Sequence, residues 1–418
     1  MSSATARQVL RAPASLLAFP DEILEEFFLR LDAAADVARA SAACTTFHRI
    51  VSTRRFRRRF RSLHSPPILG VLECAATAAF RPAEPPHGSA RPARALAEAA
   101  DFTFSFIDDP RSWRVYDARD RRVLLCRHVK TTAAFADLMV CDPLHRRYIQ
   151  LPAIPDDLAA ATGGEGHRDF EPFLDPATDD DDDDDEDESF RVICAVHCQL
   201  KLVIFHFSSV TGKWRVVTFN RTRPLSDLSL GFCGMFLRHY AHGCFYWTHP
   251  SIESLFILDP REVKFSDIGH RPNYQAPAIV ELRGHAIVEL GNGSLGLISL
   301  VNGDTLQLYS KTLRNNGVDT EVWQRDKMIP LPKMEMHCDW NIRGAVEGYL
   351  LLQATPRNYV HILHNENLAL ETYRSLETYR FTLDLKTFLF ERLCMSNLCV
   401  GYAQLYAGFP PPLSLPSV

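Results

Sequence analysis

From Phe19 to Leu31 the apolar residues Phe19, Ile23, Leu24, Phe27, Phe28 and Leu31 fall at three- and four-residue steps, which predicts an amphipathic α-helix. Pro20 suits the first helical position, where a missing N–H costs nothing. Asp21, Glu22, Glu25 and Glu26 place negative charge near the positive end of the helix dipole. A second, Ala-rich helix carrying Val37, Ala40 and Ala43 is expected after Asp32 as N-cap; a third follows Thr45 or Thr46 and turns Phe47, Ile50 and Val51 to one side. In the segment from Arg54 to Arg61, Phe56 and Phe60 lie one turn apart, predicting a fourth helix that packs on the others with its arginines outward. A module of about 40 residues without metal or disulfide is marginal alone, so a partner is implied.

Residues 63–100 are rich in Pro, Ala and Arg, with Pro66-Pro67 and Pro85-Pro86 as breakers; they read as a linker with a short helix over Ala93–Ala100. From Phe102 the texture changes to short Phe-, Val-, Ile-, Leu- and Tyr-rich runs separated by Gly, Asn, Asp and Pro, the pattern of a meandering antiparallel all-β domain. Leu138-Met139-Val140-Cys141-Asp142-Pro143 is echoed by Leu255-Phe256-Ile257-Leu258-Asp259-Pro260 and, more loosely, by the stretch from Tyr379 to Leu385. Each is a strand running into an Asp-led turn. Trp113, Trp214, Trp247 and Trp323 recur in or beside such hairpins. Repetition of this kind over residues 101–407 predicts a β-propeller, a large β-sandwich being the alternative.

Composition refines this outline. The chain has 418 residues, 46% of them hydrophobic and 23% charged, values of a globular protein long enough for more than one domain. Its net charge of −5 conceals a basic stretch near the start and the acidic run from Asp179 to Glu188. That run fits neither strand nor core and is expected as a solvated loop within 175–189, between two hairpins. Residues 1–15 and the Pro-rich tail 408–418 are expected to lie outside the folded domains. The absence of a signal-peptide or membrane-spanning run, with 11 scattered cysteines, points to the cytoplasm or nucleus. Glu371-Thr372-Tyr373-Arg374 and Glu377-Thr378-Tyr379-Arg380 form a tandem duplication expected to lengthen a loop or strand edge.

Candidate chemistry is sparse. Gly291-Asn292-Gly293-Ser294-Leu295-Gly296 has the letters of a dinucleotide fingerprint, but strand-like flanks make it a hairpin turn. Cys194, His197 and Cys198 are metal-ligand types, yet a strand points His197 and Cys198 to opposite faces, so they read as core. The pairs His239/His242 and His361/His364 have no acidic partner at metalloprotease spacing. No nucleophile elbow, phosphate loop or Cys–His signature is present. The arginine segment lacks the aromatic strand motif of a nucleic-acid binder, so nucleic acid is not expected as a partner.

The helical module resembles the F-box. Phe19-Pro20-Asp21-Glu22-Ile23-Leu24 takes the place of its Leu-Pro opening, Leu31 ends the first helix, Asp36-Val37 takes the second, and Cys44-Thr45-Thr46-Phe47 the closing Cys-x-x-Trp. Phe19 stands for the usual Leu and Phe47 for the usual Trp, both swaps keeping bulk and apolarity. The resemblance implies an F-box at 16–62 that binds the Skp-family adaptor, and through it the cullin, of an SCF-type ubiquitin ligase. The contacts would be Phe19, Pro20, Ile23, Leu24, Phe27, Leu31, Val37 and Phe47. Most of residues 60–405, with Ala118-Arg119-Asp120 and the run from Gly243 to Trp247, is similar to the associated domain of grass-type plant F-box proteins. The expected fold class is therefore α+β multidomain, a three-helix F-box followed by a large all-β domain of kelch-like propeller type. The implied function is a non-catalytic receptor that captures a protein substrate on its β domain, with no cofactor, metal or membrane. The alternative is a lectin-like or carbohydrate-active propeller whose N-terminal helices are structural.

Overall fold

The computed structural model describes residues 19–31, 33–73, 79–127, 135–163, 169–176, 189–198, 200–220, 237–248, 255–262, 264–268, 284–290, 293–312, 323–346, 348–357, 377–397 and 403–409. Among these, residues 19–66 with Phe409 form one compact unit and residues 67–408 a second.

The first unit holds helices α1 (Asp21–Leu29), α2 (Ala34–Ala43), α3 (Thr45–Val51) and α4 (Arg54–Leu63). Pro20 is the N-cap of α1 and not its first residue: its carbonyl accepts from the N–H groups of Ile23 and Leu24, both at 3.1 Å. The N-cap of α2 is Ala33, with no side-chain capping bond, and Asp32 lies outside the described residues. Cys44 caps α3, its Sγ accepting from the Phe47 N–H at 3.4 Å; Thr53 caps α4 through the Phe56 N–H at 3.2 Å. These caps satisfy N–H groups that a short helix otherwise leaves unpaired. Leu24, Phe28, Val37, Val51, Phe56 and Phe60 form the core, and Phe409, in the tail expected outside the folded domains, instead packs edge-on against Phe60 at 5.9 Å.

The second unit is a six-bladed β-propeller. Blade 1 comprises β3 (Arg114–Arg119), β4 (Arg122–Arg127), β5 (Asp137–Asp142) and β6 (Arg147–Gln150). Blade 2 comprises β7 (Asp169–Asp175), β8 (Arg191–His197), β9 (Lys201–Ser208) and β10 (Lys213–Asn220). Blade 3 runs through β11 (Leu237–Ala241), β12 (Cys244–Thr248), β13 (Leu255–Asp259) and β14 (Lys264–Ile268). Blade 4 runs through β15 (His285–Leu290), β16 (Ser294–Val301), β17 (Thr305–Thr312) and β18 (Gln324–Pro330). Blade 5 contains β19 (Cys338–Val346), β20 (Tyr349–Pro356), β21 (Glu377–Asp384) and β22 (Phe390–Asn397). All five are antiparallel meanders.

The closing sheet is composite. The segment 63–100, expected as a linker, supplies β1 (Ile68–Glu73) and β2 (Ala79–Pro82), and the chain's last described strand, β23 (Ala403–Ala407), pairs with β1 in the order β2-β1-β23. The expected short helix is α5 (Ala90–Ala99), whose Ala93 joins the core beneath this sheet. Ile68 to Leu72 is apolar enough for a strand, but its partner Leu405 lies at the opposite end of the chain, where local pattern does not reach.

Alternation places the core. On β8, Val192, Cys194 and Val196 face blade 1, whereas Ile193 and Ala195 face blade 3. On β4, Val123 and Leu125 face the closing sheet, and Leu124 and Cys126 face blade 2. Blades buried on both faces read as continuous apolar runs because both sets of alternate positions must leave water. The three Asp-led turns share one blade position, between third and fourth strands. Asp142 accepts from the N–H of Leu144 and His145, Asp259 from Arg261 and Glu262, and Asp384 from Lys386 and Thr387, at 2.7–3.2 Å.

Several local expectations are revised. The acidic run lies outside the described residues and is inserted inside one hairpin, since β7 ends at Asp175 opposite Arg191 of β8. The second copy of the tandem duplication opens the interior strand β21, with Thr378 and Arg380 buried; the first copy lies outside the described residues. Leu290 and Ser294 face each other across the glycine-rich turn, whose Gly291 and Asn292 are outside the described residues, so antiparallel strands flank it as expected. No helix among the described residues is long and apolar enough to cross a membrane.

Gly70 shows how tight the closing sheet is: a Cβ there would sit 2.2 Å from the Arg81 carbonyl oxygen and 2.9 Å from the Phe80 ring. Gly70→Ala is expected to destabilise the propeller by about 1–3 kcal/mol through overpacking. Gly344→Ala, where a Cβ would meet nothing within 4 Å, should stay within about 0.5 kcal/mol. Urea midpoints of the two variants check this, and equal midpoints would mean that the seam yields.

Candidate functional site

In the helical unit, α1 is apolar on two sides. Leu24 and Phe28 point into the core, while Phe19, Ile23 and Phe27, spaced one helical turn apart, are 42%, 44% and 49% exposed. The rings of Phe19 and Phe27 meet edge-on at 6.1 Å, so the outward stripe is continuous, and Pro20 is exposed at its start. The eight residues expected at one interface therefore divide. Phe19, Pro20, Ile23 and Phe27 offer a surface. Leu24 (2% exposed) and Val37 (0%) do not: they are interior residues holding α1 and α2 to the other helices. Leu31 and Phe47 are half-buried, Phe47 edge-on to Phe28 at 5.1 Å. Helical periodicity alone assigns all these positions to apolar faces, and only the packing of α3 and α4 decides which face is covered.

Acidic residues of α1 meet arginines beside this stripe. Arg59 donates from Nη1 to Glu25 and from Nη2 to Glu26, both at 2.6 Å; Arg55 approaches Glu25 at 3.5 Å and Arg49 pairs with Asp21 at 2.7 Å. The hydrogen bond from Arg59 is the main cause holding the Glu26 carboxyl below its ordinary value. Part of the arginine segment thus clamps α4 to α1, with Phe56 and Phe60 buried as expected beneath it.

In the propeller, a charged cluster ties three successive blades at their first strands. Arg238 of β11 lies 3.3 Å from Asp117 of β3 and 3.4 Å from Glu171 of β7, and its guanidinium stacks 4.1 Å above the Phe173 ring. Asp117 also accepts from the Leu174 N–H at 2.9 Å, and Glu171 from Trp247 Nε1 at 2.8 Å. Next to Arg238, burial, with His285 and Arg238 nearby, lowers the His239 imidazole to about 3, so it is neutral at physiological pH. Asp117, Glu171 and Arg238 are far apart in sequence and carry no motif. A polar residue inside an apolar strand run was the signal available.

The candidate metal ligands are dispersed by alternation. Cys194 and Cys198 lie in the core between blades 1 and 2, and His197 points the other way, 6.0 Å from the Trp247 ring centroid. His242 Nε2 meets the Ser294 carbonyl at 2.8 Å, and His361 and His364 lie outside the described residues. Among the described residues no three of His, Cys, Asp and Glu group as a metal site.

No protein-family model matches the chain, and no curated protein matches it. Among solved structures it is similar to the Aleuria aurantia lectin in complex with alpha-methyl-L-fucoside, at 10% identity and TM-score 0.29, over 69% of this chain and 79% of that one. It is similar to a chain of a nidogen/laminin complex at 10% identity and TM-score 0.38, over 80% and 97% of the two chains. YCF48 from Cyanidioschyzon merolae matches at 9% identity and TM-score 0.33, over 68% and 70%. Likenesses this remote say nothing of ligand or activity.

The two faces of α1 are separable by mutation. Leu24→Ala is expected to cost the helical unit about 2–5 kcal/mol, whereas Ile23→Ala should cost less than about 0.5 kcal/mol; chemical denaturation followed by helical ellipticity distinguishes them. The lowered His239 value sets a pH window. The unfolded chain takes up this proton as pH falls through about 6.5 and the native state only near 3, so the contribution is complete above 6.5 and lost as pH falls through that interval. His239→Gln should flatten the decline by up to about 1.4 kcal/mol per pH unit within the window, read from urea midpoints between pH 7.5 and 4.

Proposed function

We propose that this chain is the non-catalytic receptor subunit of an SCF-type ubiquitin ligase, docking through an F-box-like module on a Skp-family adaptor, and through it the cullin, while the propeller captures a protein for modification. The observation that carries the reading is the outward stripe of α1. Phe19, Ile23 and Phe27 stay exposed although the opposite face of the same helix is fully used by the unit's own core. Removing such residues from water against a partner is worth about 1.5–3 kcal/mol each, enough to make them the centre of an interface. The propeller supplies a rigid platform for loops, and no residue of this chain acts in bond making. A receptor of this kind works by raising the local concentration of its target beside a charged conjugating enzyme.

The test is co-purification of the full chain with a Skp-family adaptor, with affinity measured by calorimetry. Ile23→Asp and Phe27→Asp should each weaken binding at least tenfold with helical ellipticity unchanged, because a carboxylate brought into an apolar interface is desolvated without a partner. Leu389→Asp, on an exposed propeller turn, should bind as the unmodified chain does. Undiminished affinity in both α1 variants would sink the assignment of this stripe.

A further inference from the structure

The segment from Ala83 to Ser89, between β2 and α5, ties the closing sheet to the outer strands of blade 5, beside the β1–β23 pairing. Its backbone is held at two points. The Glu84 N–H donates to the Leu393 carbonyl of β22 at 2.7 Å, and the Pro85 carbonyl accepts from Arg392 Nη2 at 3.4 Å. Its deep side-chain anchor is His87, 7% exposed.

Hydrogen bonding fixes the state of that ring. The Ser89 N–H donates to His87 Nδ1 at 3.1 Å, so Nδ1 is an acceptor and carries no proton. The proton is on Nε2, which lies 3.3 Å from Glu391 Oε2 of β22 and 3.5 Å from Thr382 Oγ1 of β21. Ser89 is also the N-cap of α5, its carbonyl accepting from the N–H of Ala93, a fully buried residue of the core under the closing sheet. The imidazole therefore bridges the start of α5 and blade 5 only while it is neutral. A second proton has to enter at Nδ1, where it faces the Ser89 N–H, so an acceptor opposite a donor becomes a donor opposite a donor.

The elements around the ring carry charge of both signs. Glu391 and Arg392 lie on β22, Arg380 and Asp384 on β21, and Tyr349 on β20, while β2, the segment itself and α5 bring Arg81, Glu84 and Arg91. Glu391 favours the imidazolium, but burial acts the other way and more strongly, holding His87 below its ordinary value of 6.5. Once released, the ring takes up its proton as pH falls through about 6.5, and in place it does so only at lower pH. The hold is complete above 6.5 and is lost as pH falls below it.

We propose that His87 is an acid-released latch: when its ring gains a second proton, residues 84–93 let go of blade 5 while the β1–β23 pairing keeps the propeller closed. The opening is local, because the segment's two backbone bonds to blade 5 are separate from the ladder that closes the ring. It is a property of the propeller alone and does not depend on what α1 docks on.

The test is hydrogen exchange of the full chain at pH 7.5 and 5.5, read by mass spectrometry and corrected for the pH dependence of chemical exchange. Protection of the peptide covering 84–93 should fall at least tenfold at pH 5.5, while peptides from β1 and β23 keep theirs within about twofold. His87→Gln should give that segment the same protection at both pH values. Glu391→Gln removes the charge that favours the imidazolium, so it should move the release midpoint to lower pH, a shift that a merely packing role for His87 does not produce. That midpoint decides the matter even if glutamine at 87 leaves the segment open throughout. Equal protection of the unmodified chain at both pH values, an undiminished acid loss in His87→Gln, or an unmoved midpoint in Glu391→Gln overturns the proposal. So does an equal loss in β1 and β23, which would mean acid unfolding of the whole propeller through other buried histidines such as His239.

Discussion

The propeller depends on one pairing, that of β23 with β1. Each blade is apolar on both faces, so an open ring would leave Val123 and Leu125 of blade 1 and Leu351 and Leu393 of blade 5 without the sheet that buries them. Closing a loop of several hundred residues is less costly than it looks, since closure entropy grows with the logarithm of length, about 0.6 kcal/mol for each doubling. One seam can therefore hold the ring, provided that it is tight. Gly70, against the Arg81 carbonyl, and Ala83, whose N–H donates to the Leu69 carbonyl at 2.9 Å, show how little space that seam leaves. The same non-local pairing makes slow folding the expectation, because most blades must form before closure is rewarded.

Charge inside the ring serves a different purpose from charge on the helical unit. Arg238, Asp117 and Glu171 are largely withdrawn from water, and the cost of removing their hydration offsets most of their mutual attraction. Their net contribution to stability is small, but each leaves a costly unpaired charge if a neighbour is missing, which disfavours any arrangement in which blades 1, 2 and 3 do not meet. The fork from Arg59 of α4 to Glu25 and Glu26 of α1 lies in better-hydrated surroundings, where such pairs are worth about 0–1 kcal/mol. Its contribution is to fix the approach of two helices whose phenylalanines already supply the adhesion.

What sequence conveys here follows from range. The hairpins are legible because both strands and the turn lie within a few tens of residues, and the Asp-led turns recur because each carboxylate caps two N–H groups at the same corner of a blade. The helices are legible for the same reason, down to the inward pair Phe56 and Phe60. The strand at Ile68–Glu73 is not, since nothing near it marks a partner more than three hundred residues away, and prolines on either side speak for a linker. The split between Leu24 and Ile23 is also hidden, because adjacent positions on a doubly apolar helix differ only in what the rest of the unit places against them.

The two-sided apolar character of α1 bears on function because stability does not require it. A short surface helix needs one apolar face, and here Leu24, Phe28 and Leu29 already supply it, closed over by α3 and α4. Phe19, Ile23 and Phe27 add nothing to that core and enlarge the apolar surface exposed to water, a liability for solubility in a unit this small. Elsewhere large exposed apolar residues such as Leu200 and Leu389 sit on separate blades, as scattered surface residues do in many proteins. Ile23 and Phe27 on one helix face, with Phe19 just before the N-cap in ring contact with Phe27, are ordered as an interface is ordered. A covering partner turns the liability into binding energy, which is why the adaptor reading is anchored on those three residues and not on the wider apolar pattern that contains them.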